Sequence, residues 1–216
     1  MKTKKYYIIS ALFLLAATLP PVTLAAVDAL PTEWARADVS QAVSLGLVPE
    51  DLQSSYTQAV TRAEFCALAA ALYEAETGIT IAERSTFSDT NETNVEKMAA
   101  VGVVNGTSPG VFTPNTALTR EQAATMLARL AGAFGKPLPE VEATFADKSS
   151  VSGWAYEAVG QVQAAGVMNG TSPDMFMPKG PYTREQSIVT MLRMYNAAAK
   201  TVKANPVVTI TMEEGV

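Results

Sequence analysis

Hydrophobic and polar positions along this chain form a motif that occurs three times. It runs from a short amphipathic stretch through a glycine and a polar loop to a longer stretch that is apolar over more of its circumference. In the short stretches the apolar residues stand at helical spacing: Val39, Ala42 and Val43, then Val95, Met98 and Ala99, then Ala155, Ala158, Val159 and Val162. Gly46, Gly102 and Gly166 follow, each succeeded by an apolar residue (Leu47, Val103, Val167), which is the signature of a helix closed by a left-handed cap. The longer stretches open with Thr61, Thr119 and Thr183. Glu64, Gln122 and Gln186 stand three residues on, so each start predicts a capping box. Behind them run the stripes Phe65, Leu68, Ala69 and Leu72; Ala123, Met126, Leu127, Leu130 and Phe134; and Ile188, Met191, Leu192 and Tyr195. Helices apolar over so wide an arc are expected to be buried between neighbours, so the three second helices are placed at the centre, with first helices and loops outside.

Self-comparison strengthens the division. Asn105-Gly-Thr-Ser-Pro109 recurs as Asn169-Gly-Thr-Ser-Pro173, Phe112-Thr-Pro114 as Phe176-Met-Pro178, and Thr119-Arg-Glu-Gln122 as Thr183-Arg-Glu-Gln186, all offset by 64 residues. Thr61-Arg-Ala-Glu64 is a third copy of the last element, and Phe87-Ser-Asp89 matches Phe145-Ala-Asp147. The copies are unequal. The first loop, residues 48–58, has neither the Asn-Gly-Thr-Ser-Pro turn nor the Phe-x-Pro element, and the second unit has no tryptophan matching Trp34 and Trp154. The expected organisation is a segment 1–26 ahead of the fold, units at 27–76, 86–134 and 144–197, and a tail at 198–216. In that tail, Pro206 to Met212 alternates like a short strand.

The first 26 residues carry Lys2, Lys4 and Lys5, an apolar run from Ile8 to Leu19, and small residues at Ala25-Ala26. That order of charge, apolar run and small-residue exit is expected of an export signal, and the run is short for a bilayer span. Its removal takes away three lysines and no acid, so the formal charge falls from −5 to −8. Nucleic acid is a poor partner for such a chain, because cation–phosphate contacts dominate that binding. An anionic ligand has to be held by local cations. The chain contains no histidine and one cysteine, Cys66, within an apolar run, which excludes His-based triads, imidazole acid–base chemistry and an internal disulfide. No cofactor or metal is expected, and Cys66 reads as a small core hydrophobe.

The ordered set Phe-x-Asp, Trp-Ala, helix, Gly, Gly-x-Phe-x-Pro and Thr-Arg-Glu resembles the S-layer homology repeat, over roughly residues 33–196. The resemblance implies a mainly α fold, with three helix–loop–helix units in a pseudo-threefold arrangement around a central three-helix bundle. It also implies noncovalent attachment of a secreted bacterial protein to the cell wall. The implied partner is a secondary cell-wall polysaccharide (a peptidoglycan-linked glycan, often pyruvylated), gripped in grooves between units. The family's recurrent arginine contact carries over to Arg62, Arg120 and Arg184.

The residue chemistry agrees with that implication. Each arginine stands at the first position of a helix, beside backbone N–H groups expected to be unpaired, and a guanidinium fork suits a carboxylate. Against this stands the plain alternative of a surface arginine paired with a nearby acid; three copies at one structural position favour ligand contact. Trp34 and Trp154 read equally as helix-start packing residues and as flat faces for a sugar ring. Asp89 and Asp147 read as turn or helix caps, with ligand hydroxyls as the lesser role. Asn105, Thr107, Asn169 and Thr171 offer polar groups near the expected grooves, although turn chemistry alone accounts for them. An enzyme is not expected: Glu64, Glu121 and Glu185 open helices, where the dipole favours the ionised carboxylate, whereas a general acid must hold its proton. The alternative function is a structural surface protein that assembles through protein–protein contacts.

Overall fold

The computed structural model describes residues 30–204, with side chains described as far as Ala197. Six α-helices are its regular elements: α1 (Glu33–Ser44), α2 (Arg62–Thr77), α3 (Thr93–Ala100), α4 (Arg120–Ala133), α5 (Tyr156–Ala164) and α6 (Arg184–Ala204). The described residues contain isolated β-bridges and no strand, so the fold is mainly α and built from three helix–loop–helix units, α1–α2, α3–α4 and α5–α6. Helix α6 runs on past the expected end of the third unit at residue 197, and residues 1–26 and 206–212 lie outside the described residues.

Local chemistry sets the helix ends. Gly46, Gly102 and Gly166 adopt φ of 72°, 78° and 67°. The residues after them donate back to Ala42, Met98 and Val162 at 3.0, 2.9 and 2.9 Å, which closes the short helices with the expected left-handed caps. Capping boxes open α2 and α4 in full. At α6 the same pair of bonds forms between Thr183 and Gln186, at 3.2 and 3.3 Å.

The units are arranged as a ring. Each first helix packs chiefly on the second helix of the unit before it: α3 on α2, α5 on α4, and α1 back on α6. At the axis of the ring the residues preceding α2, α4 and α6 form a backbone triangle. Val60 N–H donates to Tyr182 (2.8 Å), Leu118 N–H to Val60 (2.9 Å), and Tyr182 N–H to Leu118 (3.3 Å). All three side chains are buried. The three second helices start from this triangle, and α2 also packs directly on α6. Their buried residues are nearly continuous over 68–70, 123–124 with 126–127, and 188–189 with 191–192, so these helices are covered on more than one face. Cys66 lies fully inside this core, and burial pushes its thiol up to about 12, which keeps it protonated and inert.

Candidate functional site

The starts of the second helices differ from expectation in one respect. Their first backbone N–H groups are not free. Arg62 and Ala63 donate to Thr116 and Pro114 at 2.9 and 3.0 Å. Arg120 and Glu121 donate to Gly180 and Pro178 at 3.1 and 3.0 Å. Arg184 and Glu185 donate to Gln58 and Tyr56 at 2.9 and 2.8 Å. The third N–H in each case goes to the capping threonine. The loop of the next unit around the ring therefore consumes the donors that were expected to attract an anion, and a helix-terminus anion site does not exist here.

The arginine side chains make the same seams. Arg62 Nε donates to Phe112 O and Nη2 to Asn105 O, both at 2.9 Å, with the guanidinium carbon 4.3 Å from the Phe112 ring centre. Arg120 repeats this on Phe176 O and Asn169 O, both at 2.7 Å, with the ring centre at 4.9 Å. Each guanidinium thus staples one unit to the loop of the next. Burial pulls both groups below the usual arginine range, yet arginine stays charged at neutral pH. In each, Nη1 has no protein partner among the described residues, so one edge of the fork remains available.

Both arginines line a groove, one at each of these two seams. One groove, of about 450 Å³, is lined by Arg120, Asn169, Gly170, Thr171, Gln186, Arg193 and Trp34 among others. The other, of about 230 Å³, is lined by Arg62, Asn105, Gly106, Gln122, Arg129 and Trp154 among others. The two are copies: Asn169, Gln186 and Arg193 match Asn105, Gln122 and Arg129 at the same 64-residue offset. Each groove draws on all three units, because the tryptophan comes from the unit that follows and the arginine from the unit that precedes. Trp34 and Trp154 are 56% and 59% exposed, and each stands in a groove wall.

The third seam is built differently, and Arg184 departs from the expectation for it. Its Nη1 donates to Ser54 O and its Nη2 pairs with Glu64 Oε1 at 2.6 Å, while Nε is buried without a partner. The first unit keeps the loop shape without its motif. Ser55 takes the left-handed conformation (φ 50°) that Thr113 and Met177 take in the other units (59° and 56°). Because Glu64 stands where the other units have glutamine, the outward edge of Arg184 meets a carboxylate of the protein itself. Ala71 stands where the other grooves have Arg129 and Arg193, and no tryptophan opens α3.

The remaining predicted residues divide clearly. Asp89 accepts from the N–H groups of Phe112 and Thr113 at 2.8 and 2.7 Å, and Asp147 from those of Phe176 and Met177 at 2.9 and 2.8 Å. These carboxylates hold the left-handed turns and line neither groove. The two N–H donors hold the Asp89 carboxyl below the usual aspartate range. The Thr107 hydroxyl bonds to Val111 O outside the grooves, whereas Thr171 is part of a groove wall. Arg129, Arg193, Gln122 and Gln186 were missed as groove residues. The available signal was the shared offset of an arginine with no core role.

Sequence comparison agrees with the geometry. The profile of the S-layer homology domain matches residues 86–124 and 144–186. An endoglucanase of Bacillus sp. (strain KSM-635) is 39% identical over 88 residues, which is 40% of this chain and 9% of that protein. An amylopullulanase of Thermoanaerobacterium thermosulfurigenes is 28% identical over 164 residues, 71% of this chain and 8% of that protein. The exoglucanase XynX of Acetivibrio thermocellus is 29% identical over 164 residues, 71% of this chain and 15% of that protein. The chain thus spans a small part of the length of these relatives. No helix among the described residues is long and apolar enough to cross a membrane. With the repeated helix–loop–helix units and the profile matches together, the chain is a protein that carries S-layer homology domains, at residues 86–124 and 144–186.

Proposed function

We propose that this protein is exported and holds noncovalently to an acidic secondary cell-wall polysaccharide, through two grooves rather than three. The observation that carries this reading is the repeated groove itself. At two seams an exposed indole stands beside the free edge of a buried guanidinium, an Asn-Gly turn and a second arginine. An indole supplies a flat face for a sugar ring, and the paired arginines supply the local positive charge that a protein of net charge −5 otherwise lacks. A pyruvyl ketal carboxylate matches the planar donor edge of Arg62 or Arg120. The third seam offers no such edge, because Arg184 is neutralised by Glu64.

The chain acts as a binder and not as an enzyme in this reading. Glu121 and Glu185 are 3% and 4% exposed and bonded to neighbouring backbone, and Glu64 is spent on Thr61 and Arg184. Among the described residues neither groove wall contains a pair of carboxylates, the arrangement glycoside hydrolysis uses.

The test is co-sedimentation with wall sacculi, intact and stripped of secondary polymer. Binding is expected to intact sacculi only, and to fall stepwise when Trp34 and then Trp154 is replaced. Equal binding to both preparations refutes the reading.

A further inference from the structure

The buried glutamates at the second helical position are assigned no ligand contact above, although Glu185 belongs to the wall of the Arg120 groove, and they are among the most deeply buried charged residues described. Glu185 accepts from the Thr32 backbone N–H at 3.0 Å and from the Thr32 hydroxyl at 2.9 Å. Glu121 accepts from the Ser152 N–H at 2.9 Å and from the Ser152 hydroxyl at 3.1 Å. Each bidentate bond crosses a seam, from the second helix of one unit to the start of the next first helix. Thr32 and Ser152 each stand two residues before a groove tryptophan. Their carbonyls in turn accept from Ala35 and Ala155 at 3.0 and 2.9 Å, so the pinned residue sets the turn that carries Trp34 or Trp154. Both alanines are fully buried, which fixes the far side of that turn.

We infer that Glu121 and Glu185 are positioning residues, each pinning the residue that starts the following unit so that its tryptophan is held over the groove. The first unit supplies the comparison. At the same place α2 carries Ala63, and the unit that follows it has no such helix turn to hold. Helix α3 begins only at Thr93, the stretch between Asp89 and Val95 is six residues shorter than its counterpart between Asp147 and Val159, and Thr90 occupies the register of the tryptophans. Glutamate and tryptophan are thus present together at two seams and absent together at the third. A capping role does not account for the glutamates, since the capping boxes use Glu64, Gln122 and Gln186. One of the two pins is reinforced: Lys179 pairs with Glu121 and donates to Ser152 Oγ.

A held indole beside an exposed sugar site loses less freedom on binding than a mobile one, so the pin contributes to affinity through preorganisation. This consequence for binding rests on the proposed function; the positioning itself does not.

The chain has two tryptophans, so Trp154→Phe leaves Trp34 as sole reporter and Trp34→Phe leaves Trp154. Time-resolved fluorescence anisotropy of the ligand-free protein then reads each indole alone. In the Trp154→Phe background, Glu185→Ala is expected to raise the amplitude of fast local depolarisation of Trp34 roughly two-fold, because a helix start without its partner frays on the nanosecond scale. Glu121→Ala is expected to leave Trp34 unchanged and to act on Trp154 in the reciprocal background. A purely structural role would move both reporters or neither. Ala63 shows that the fold accepts alanine at this place. Should Glu185→Ala still fail to fold, Thr32→Ala removes one donor of the pin and gives the same reporter-specific change. Unchanged depolarisation of both indoles in their matching variants overturns the inference. The sacculus assay on the same variants keeps the two ideas apart: a freed indole with undiminished pelleting on intact sacculi supports the pin and refutes its contribution to affinity, whereas equal pelleting with intact and stripped sacculi refutes the polysaccharide reading and leaves the pin standing.

Discussion

Replacing Arg62 by alanine tests whether the arginines are staples as well as ligand contacts. The substitution deletes two charge-assisted hydrogen bonds, to Phe112 O and Asn105 O, and a guanidinium stacked 4.3 Å over the Phe112 ring. Bonds of this type are worth about 1.5–3 kcal/mol each, and a partly desolvated cation–π contact about 0.5–2 kcal/mol. The sum is not realised in full. Asn105 is exposed, so water replaces one lost donor, and Phe112 O keeps the Thr113 hydroxyl at 2.6 Å. A net loss of about 2–4 kcal/mol remains, since removing a partner from a buried acceptor carries most of the cost. With an m-value of about 2 kcal/mol/M in urea, the midpoint falls by about 1–2 M. Arg62→Lys keeps the charge but not the fork, and is expected to recover only part of the loss. Arg184→Ala should cost less than Arg62→Ala, because its Nε is already buried without a partner and its removal relieves that defect. Urea unfolding followed by circular dichroism gives all three values. A midpoint shift below about 0.3 M for Arg62→Ala, or a larger loss for Arg184→Ala, refutes the staple argument. The result also bears on the binding assay, because loss of pelleting in an arginine variant counts as loss of contact only after its folded fraction is measured.

Three further outcomes follow from single features. Asp89 is held below the usual aspartate range by the Phe112 and Thr113 N–H groups, so the stability it contributes is complete above an unfolded value of about 3.9 and is lost as pH falls through the lower folded value; Asp89→Asn should flatten the acid limb of the stability–pH curve, measured by thermal unfolding between neutral and acid pH. Gly170 has Ser172 O and Met175 O at 2.3 and 2.6 Å from where a Cβ would stand, so Gly170→Ala should lower stability by about 1–3 kcal/mol through displaced backbone, read in the same urea titration. Cys66 should react with a thiol reagent only at the rate of global unfolding, so its labelling should follow the unfolding curve, and fast labelling in native buffer would contradict the packing described for α2.

The parts of the fold legible in the sequence are those fixed by residues close in the chain. Capping boxes at Thr61, Thr119 and Thr183 and the turns at Gly46, Gly102 and Gly166 need partners within a few positions, and the structure has them where the pattern put them. The arginine geometry was not legible, because its partners are backbone carbonyls 43 to 56 residues away, as in Arg62 to Asn105 and Arg120 to Phe176. A carbonyl has no sequence signature, so a buried staple and an open ligand contact are written with the same letter. The same reason hid the occupied helix N-termini, which donate to loop carbonyls of another unit. The altered third seam was half visible. The missing Asn-Gly turn and tryptophan could be read directly, but the significance of Glu64 in place of glutamine depends on Arg184 meeting it at 2.6 Å across the ring.

The differences among the three seams have one cause. A ring of three units has to be closed, and each closure uses an arginine whose fork has more donors than the closure requires. At the Arg62 and Arg120 seams two donors satisfy the next loop, Nη1 has no protein partner among the described residues, and the arginine lines a groove together with an indole and a second arginine. At the Arg184 seam the side chain bonds to one loop carbonyl, Ser54 O, and its Nη2 turns to a carboxylate. Glu64 pairs with that guanidinium and so takes the donor edge that stays unpaired at the other two seams. Where the loop supplies two carbonyls the seam keeps an unpaired donor in a groove wall; where it supplies one, the protein's own carboxylate takes the remaining donor.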